Sequence, residues 1–250
     1  MWDKIKDKYW TTVIINLKTL RFNFMNYFML VFLFPFSYFV IYMLGSKGKT
    51  PAINYIVGMF LTMLLSMFIN MFATLVSSAN RVELFEMFKT YQVDTLDVFR
   101  GEGIFHMILS LFLLIVGVVI AVFNGFRPDI LKLCFLQMLF FAFLTELGIF
   151  IGGLLRDPNM AQAFINCFYM LVVILTPVYQ SPDSLGKIQY IYSINPIAHI
   201  GWLYYWSFGG KKGYVEPAAG IVYLLLLTLI LIWFNNKRWS KAVSREKIGI

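Results

Sequence analysis

Glu146 is the residue whose position in the sequence most strongly suggests a chemical role. It lies in the middle of the apolar stretch LQMLFFAFLTELGIFIGGLL, where a charge costs at least about 2.5–3.5 kcal/mol on insertion scales. A carboxyl group at that depth is expected to face a bundle interior, a polar partner or a water-filled path. The sequence leaves two interpretations open. Glu146 either contacts a cationic substrate or relays a proton, or it is a protonated, hydrogen-bonded packing residue between helices.

Other patterns that carry chemistry are incomplete or absent in the sequence. Gly48-Lys49-Thr50 resembles the end of a phosphate-binding loop, but that motif needs a glycine five positions before Gly48, where Met43 stands. The only two histidines, His106 and His199, are predicted near opposite faces of a membrane. No HExxH, CxxC or GxSxG pattern occurs. The sequence therefore predicts neither a metal site nor a set of catalytic residues.

A charged interval from Ser78 to Gly103 separates two long apolar blocks and contains eight formally charged residues. Apolar residues recur within it at helical spacing. They are Leu84, Phe88, Leu96 and Phe99. The pattern predicts two short amphipathic helices with a break around Thr90–Asp94, and Asp94 is placed to cap the second. An exposed helical pair that contacts a soluble partner and a plain solvated loop both fit this pattern.

The composition assigns the chain to the integral membrane proteins. Of its 250 residues 60% are hydrophobic and only 14% are charged, whereas about a quarter of a soluble domain is charged. The net charge of +8 is better explained by membrane topology and anionic lipid than by nucleic acid. Cys134 and Cys167 lie in apolar runs, so a disulfide framework is not expected.

The fold predicted from these patterns is all-α, a single transmembrane domain over residues 1–250. Residues 1–23 are predicted to form an interfacial amphipathic helix, since basic and aromatic residues share it. Six apolar segments follow, each near the length of a membrane crossing. They run over Phe24–Leu44, Ile53–Ser77, Ile104–Phe123, Leu133–Leu155, Ala161–Pro177 and Ala218–Phe234. In the fourth segment, Gly148, Gly152 and Gly153 offer a flat surface for helix packing, within one subunit or between subunits.

The distribution of Lys and Arg predicts the orientation. Fourteen of these residues flank one end of the spans and seven the other, which favours both termini in the cytoplasm. The interval 78–103 is then cytoplasmic. The interval 178–217 is then external, and its Tyr and Trp residues predict a segment that returns to the outer membrane interface. Within it, Ile197 to Phe208 is expected to form one short helix.

The order of these parts resembles the permease subunit of an ABC-2 type exporter over nearly the whole chain. RVELFEMFKTYQVDTLDVFRGEG is similar to the coupling-helix region between spans two and three of that family. The passage from span four to span five in that family resembles GIFIGGLLRDPNMAQAFINCFYMLVVILTPVY. Its external re-entrant segment resembles SPDSLGKIQYIYSINPIAHIGWLYYWSFGG. The chain departs from the family at Thr176-Pro177-Val178, where Ser-Gly and a bulky residue are common. It also lacks the opening Gly-x-x-Trp run of polysaccharide exporters.

The resemblance implies a transport subunit in the plasma (inner) membrane of a prokaryote. It implies two partners, a second permease, identical or related, and a separate ABC ATPase that binds ATP and Mg, while this chain binds no cofactor. The cargo is expected to be a drug, peptide or lipid. The residues implied to contact the ATPase are Glu83, Phe85, Glu86, Phe88, Lys89, Tyr91, Asp94, Leu96 and Asp97. The candidates for the substrate path are Glu146, Tyr179, Tyr190 and Tyr192.

Two other classes of protein remain as alternatives at this point. A membrane-embedded enzyme would need several polar groups at one depth, and only Glu146 stands far inside a predicted span. A stand-alone channel or immunity protein would act without an ATPase. Co-purification of a nucleotide-binding partner separates both alternatives from an exporter.

Overall fold

The computed structural model describes residues 52–78, 94–155, 157–176, 179, 189–210 and 215–246, with scattered residues between 12 and 44. The predicted interfacial helix over 1–23 and the predicted first span fall largely outside these ranges. Residues 79–93 of the charged interval lie outside them entirely. The statements below concern the described part of the chain.

All secondary structure in the described residues is helical. The helices are α1 (Ala52–Leu65), α2 (Ala73–Ser78), α3 (Thr95–Phe123), α4 (Ile130–Gly152), α5 (Pro158–Leu175), α6 (Gln189–Tyr192), α7 (Pro196–Ser207) and α8 (Pro217–Glu246). A π-helix over Ser66–Phe72 joins α1 to α2 in one continuous stretch.

Four of the described helical stretches are long and apolar enough to cross a membrane. They are Ile53–Ser78, Thr95–Phe123, Ile130–Gly152 and Pro217–Trp239. A shorter apolar helix covers Asn159–Leu175. These stretches confirm the prediction of an all-α, multi-pass membrane protein. The predicted count of six spans goes beyond the described residues, because the first predicted span lies mostly outside them.

The start of α3 joins two parts that the sequence treated separately. The sequence placed a separate amphipathic helix before a third span at Ile104, but a single helix runs from Thr95 to Phe123. Asp94 caps it as predicted, and its carboxylate accepts a hydrogen bond from the Leu96 backbone N–H at 3.0 Å. The helix continues through Gly103 because this glycine packs closely: a Cβ there would lie 2.6 Å from the Thr145 Cγ2 atom.

The stretch from α1 to α2 lies at the centre of the packing. Its residues are buried along almost their whole length, whereas α8 exposes many apolar side chains. The α4 helix contacts α2, the π-helix, α3, α7 and α8. The described core is therefore built around α4 and the α1–α2 stretch, and α8 presents most of its surface outward.

The predicted short helix within the 178–217 interval is confirmed as α7. The Asn195 side chain caps it by accepting a hydrogen bond from the Ile197 N–H at 2.9 Å, and Pro196 occupies its first turn. The Tyr204 ring packs edge-on against Phe60 at 4.9 Å and against Phe140 at 4.7 Å between centroids. This helix is thereby fixed against both α1 and α4.

Candidate functional site

A cavity of about 670 Å³ opens between the second half of the α1–α2 stretch and the first half of α5. We call it the groove. Its lining residues are Asn70, Met71, Thr74, Leu75, Ser78, Gln162, Asn166, Tyr169 and Met170. A cavity of this volume lies within the range of ordinary small-molecule sites. The groove is thus large enough to hold a ligand rather than only water.

Polar side chains line both walls of the groove at helical spacing. Asn70, Thr74 and Ser78 lie four residues apart on one wall, so they share one helix face. On the other wall, the Gln162 side-chain amide donates a hydrogen bond to Oδ1 of the Asn166 side chain at 3.0 Å. None of the described residues that line the groove is charged. The described walls offer hydrogen bonds and apolar contacts to a bound molecule.

The exposure of Asn166 indicates what covers the groove. This carboxamide lies in an apolar helix, yet its side chain is exposed in the single chain. Hydrocarbon offers no partner for its hydrogen-bonding groups, and an unsatisfied polar group in lipid is costly. The open side of the groove is therefore suited to water or another protein and poorly suited to lipid tails.

The π-helix Ser66–Phe72 shapes the wall that carries Asn70. The Ala73 backbone N–H donates to the backbone carbonyl oxygens of Phe68 and Asn70. The Thr74 hydroxyl also donates to the Asn70 backbone carbonyl oxygen, at 2.5 Å. A π-helical turn widens the helix, and such turns occur frequently at functional sites. The local backbone irregularity thus coincides with the polar lining.

Two tyrosines and Thr62 close the groove toward the α7 end. Tyr169, which lines the groove, donates to the Thr62 carbonyl oxygen at 3.4 Å. The Tyr179 hydroxyl lies 3.1 Å from the Thr62 hydroxyl and is buried. Close by in the sequence, the Asn195 side-chain amide donates to the Thr176 hydroxyl at 3.0 Å. These contacts join α5, α1 and the segment before α7 at one end of the groove.

Glu146 belongs to a different cluster, which we call the charged cluster. The Arg100 Nε atom donates to Glu146 Oε1 at 3.0 Å, and the Asn235 side-chain amide donates to Glu146 Oε2 at 2.8 Å. A second guanidinium nitrogen of Arg100 donates to Asn236 Oδ1 at 3.0 Å. Both carboxylate oxygens therefore have partners, and three helices, α3, α4 and α8, meet at this point.

The geometry favours the packing interpretation of Glu146, with one change. The sequence suggested a hydrogen-bonded packing residue between helices, and the structure adds the Arg100 guanidinium as its partner, 3.0 Å from Glu146 Oε1. Glu146 does not line the groove. Contact of Glu146 with a cationic substrate stays a prediction. The cationic group that lies beside it in the structure is the Arg100 guanidinium.

The three glycines of α4 lie against other helices of the same chain. A Cβ at Gly148 would lie 2.5 Å from the Phe72 ring, and one at Gly152 would lie 2.4 Å from the Ala73 carbonyl oxygen. Gly153 ends α4 beside Trp239. The close approach of Gly148 and Gly152 to the α1–α2 stretch explains why residues without a side chain stand there.

The three tyrosines predicted for the substrate path do not form one site. Tyr179 is buried at the closed end of the groove, with 2% of its surface exposed. Tyr190, in α6, is 54% exposed, and Tyr192 is half-buried. Of these three tyrosines, Tyr179 lies near the groove. Its hydroxyl contacts the Thr62 hydroxyl, and the Thr62 carbonyl oxygen accepts a hydrogen bond from Tyr169, which lines the groove.

Most residues predicted to contact an ATPase lie outside the described residues. They are Glu83, Phe85, Glu86, Phe88, Lys89 and Tyr91. Of the remaining three, Asp94 is exposed and Asp97 is half-buried, whereas Leu96 is only 7% exposed and packs in the core. In this structure Leu96 is a packing residue, whereas Asp94 and Asp97 are accessible at this end of α3.

Sequence reasoning missed the groove and the partner of Glu146. The available signal for the groove was the spacing of uncharged polar residues, which lie four apart in apolar helices. The pairs are Asn70 and Thr74, and Gln162 and Asn166. Arg100 lies in the charged interval, and the sequence did not show that it meets Glu146, which is 46 positions away. Among the described residues, no three His, Cys, Asp or Glu side chains lie close enough to hold a metal ion.

Comparison with known proteins gives one family. A family model described as ABC-2 type transporter matches residues 8–208. The comparison with curated proteins returns no match. The matched region includes both walls of the groove, the α3–α4 pair and α7.

Proposed function

This chain belongs to the ABC-2 type transporter family and is a transmembrane transport component, not an enzyme by itself, and we propose that it is the permease subunit of an ATP-driven exporter. Its cargo is a hydrophobic or amphipathic molecule, such as a drug, peptide or lipid. The observation that carries this proposal is the groove, a polar-lined cavity in an apolar helical bundle.

The walls of the groove support an uncharged or amphipathic cargo. Carboxamides and hydroxyls on both walls satisfy neutral polar groups, while Met71 and Met170 adapt to irregular apolar shapes. A strongly cationic or anionic cargo would find no counter-charge among the described lining residues. Both carboxylate oxygens of Glu146 already have partners within the protein, so we assign recognition of the cargo to the groove.

A second permease is the partner that we assign to the open side of the groove. Asn166 would otherwise face lipid, which disfavours an unpaired carboxamide. Two such chains, identical or related, with their grooves facing each other would enclose one polar path. Lipid then contacts the remaining apolar faces, including that of α8.

A separate ABC ATPase supplies the energy in this proposal. The chain contains no phosphate-binding motif, so ATP and Mg bind to the partner. With both termini in the cytoplasm of a prokaryotic cell, the interval 78–103 and the Ser78 end of the groove face that partner. The residues that we assign to its surface are Glu83, Phe85, Glu86, Phe88, Lys89, Tyr91, Asp94 and Asp97.

Affinity purification tests this proposal directly. The tagged full chain is extracted from its native plasma membrane, and the proteins bound to it are identified and assayed for ATP hydrolysis. We expect an ABC ATPase in roughly equal amount, lost on charge reversal by Lys89→Glu and retained in the matched control Lys212→Glu. Activity of the chain on a membrane substrate, or transport by the chain alone, would contradict the proposal.

A further inference from the structure

The α3 and α4 helices are joined at three levels in one antiparallel register. At the first level, Arg100 and Glu146 form the ion pair of the charged cluster. At the second, Gly103 lies directly against Thr145. At the third level, the Gln137 amide donates to the Ser110 hydroxyl at 2.7 Å, and both side chains are buried.

The outer two levels each bind a third element. At the first level Asn235 and Asn236 of α8 complete the hydrogen bonds of the ion pair. At the third level the Tyr204 hydroxyl of α7 donates to the Gln137 carbonyl oxygen. The pair α3–α4 thus connects the helix end that follows the charged interval with α7.

The distance between these levels makes the pair a mechanical connection. Ten residues of α3 separate Arg100 from Ser110, which is about 15 Å along a helix. Two helices fixed to each other at both ends of that length resist sliding and rotation. Paired polar groups in a bundle also specify one register, because any shift leaves a buried polar group unsatisfied.

The other side of the bundle is open. The α5 helix faces the α1–α2 stretch across the groove, and among the described contacts between them the Tyr169 hydroxyl donates to the Thr62 carbonyl oxygen at 3.4 Å. The groove therefore separates two helical stretches that α3 and α4 do not separate.

We propose that α3 and α4 move as one rigid strut, which carries motion from the Asp94 end of α3 to α7. Arg100 and Glu146 are positioning residues at one end of the strut, and Gln137 and Tyr204 are positioning residues at the other. The transmission of motion rests on the proposed function, whereas the rigidity of the pair does not. A well-packed apolar pair in place of Arg100 and Glu146 is expected to keep the fold.

Rigidity is tested on the purified full chain, without any partner. Spin labels are placed on Val119 of α3 and Met138 of α4, which are both exposed, after Cys134 and Cys167 are replaced by serine. We expect a narrow distance distribution that broadens by about twofold when Arg100→Met and Glu146→Leu are combined with Gln137→Leu, which removes the bond to Ser110. The matched control is Thr228→Val, which removes a buried hydrogen bond within a single helix. An equally narrow distribution in the triple variant would overturn the strut.

Transmission is tested on the complex with its ATPase. Vanadate trapping is expected to leave the label distance between Val119 and Met138 unchanged and to shift that between Met138 and Leu171 of α5. The apolar pair Arg100→Met with Glu146→Leu should keep ATP hydrolysis and lose the second shift. Equal shifts in both distances would overturn the strut. Failure of any ATPase to bind would instead contradict the proposed function, and the rigidity measurement would still decide on the strut.

Discussion

The charged cluster and the groove differ in what surrounds their polar side chains. Around Glu146, a full charge lies deep in the bundle, but each carboxylate oxygen accepts a hydrogen bond and Arg100 balances the charge. In the groove no described residue is charged, yet Asn166 and Gln162 face an open space. Glu146 is enclosed by its partners, whereas the polar side chains of the groove lie beside an open space.

This difference indicates where a ligand can bind. A polar group that already has its partners offers little to a ligand, since binding would only exchange one hydrogen bond for another. A polar group that faces an open cavity gains a partner when the cavity is filled. Polar residues of an apolar bundle should therefore be compared by the partners they lack, and not by the charge they carry.

Charge reversal in the charged cluster is the most damaging change that we predict. Glu146→Lys places two cations together beside buried Asn235, and breaking a buried pair costs about 3–5 kcal/mol. We expect little folded protein and a strongly lowered thermal midpoint in detergent. The exchange Arg100→Glu with Glu146→Arg should recover part of the loss, and Thr228→Val serves as the control. A wild-type midpoint for Glu146→Lys would show that the cluster is not a packing element.

A single methyl group at the α4 interface should have the next largest effect. Gly152→Ala places a Cβ 2.4 Å from the Ala73 carbonyl oxygen, which belongs to the backbone and cannot rotate away. Overpacking of this kind costs about 1–3 kcal/mol. In Gly117→Ala the nearest atom is at 3.7 Å, so this control should unfold at the wild-type temperature or above. Equal thermal midpoints for the two variants would contradict the observed helix contact.

Loss of the α3 cap should have a smaller effect. Asp94→Ala removes the acceptor of the Leu96 N–H, and substitutions of this type cost about 1 kcal/mol. Asp94→Asn keeps the cap and should keep most of the stability, as measured by thermal unfolding. If the asparagine and alanine variants lost equal stability, the charge of Asp94 and not its capping bond would be the relevant property.

Substitution in the groove should leave stability nearly unchanged. Asn166→Leu removes an exposed carboxamide that bonds only to Gln162 among described residues, so we expect a change within about 0.5 kcal/mol. The same variant should weaken the stimulation of ATP hydrolysis by an amphipathic cargo. A loss of stability as large as that of Glu146→Lys would remove the contrast between the two regions.

The sequence alone was sufficient to predict the all-α fold class, the capping role of Asp94 and the short helix that begins at Pro196. Each depends on local information: apolar length, a capping side chain, or Asn-Pro at a helix start. The sequence did not show that the helix capped at Asp94 continues through Gly101 and Gly103 into the apolar segment from Ile104. Their fit against other helices is a tertiary property that the local pattern does not contain.

The candidate site was less predictable for the same reason. Glu146 was identified because its charge is conspicuous in an apolar run, but its partner Arg100 lies 46 positions away. The groove depends on which faces of α2 and α5 meet, and uncharged residues such as Thr74 and Asn166 stand out little in a hydropathy pattern. The chemistry of single residues was visible in the sequence, and their pairing across helices was not.

Thiol accessibility tests the central claim, that the groove and not the surroundings of Glu146 is the polar path. Asn166→Cys, in a chain with Cys134→Ser and Cys167→Ser, is compared with a chain that keeps only native Cys167, the exposed neighbour outside the groove lining. A membrane-impermeant maleimide, applied from the cytoplasmic side, reacts with thiolates in water and not with thiols in lipid. We predict rapid labelling of Asn166→Cys and none of Cys167. Labelling of neither position, or of Cys167 alone, would contradict the account.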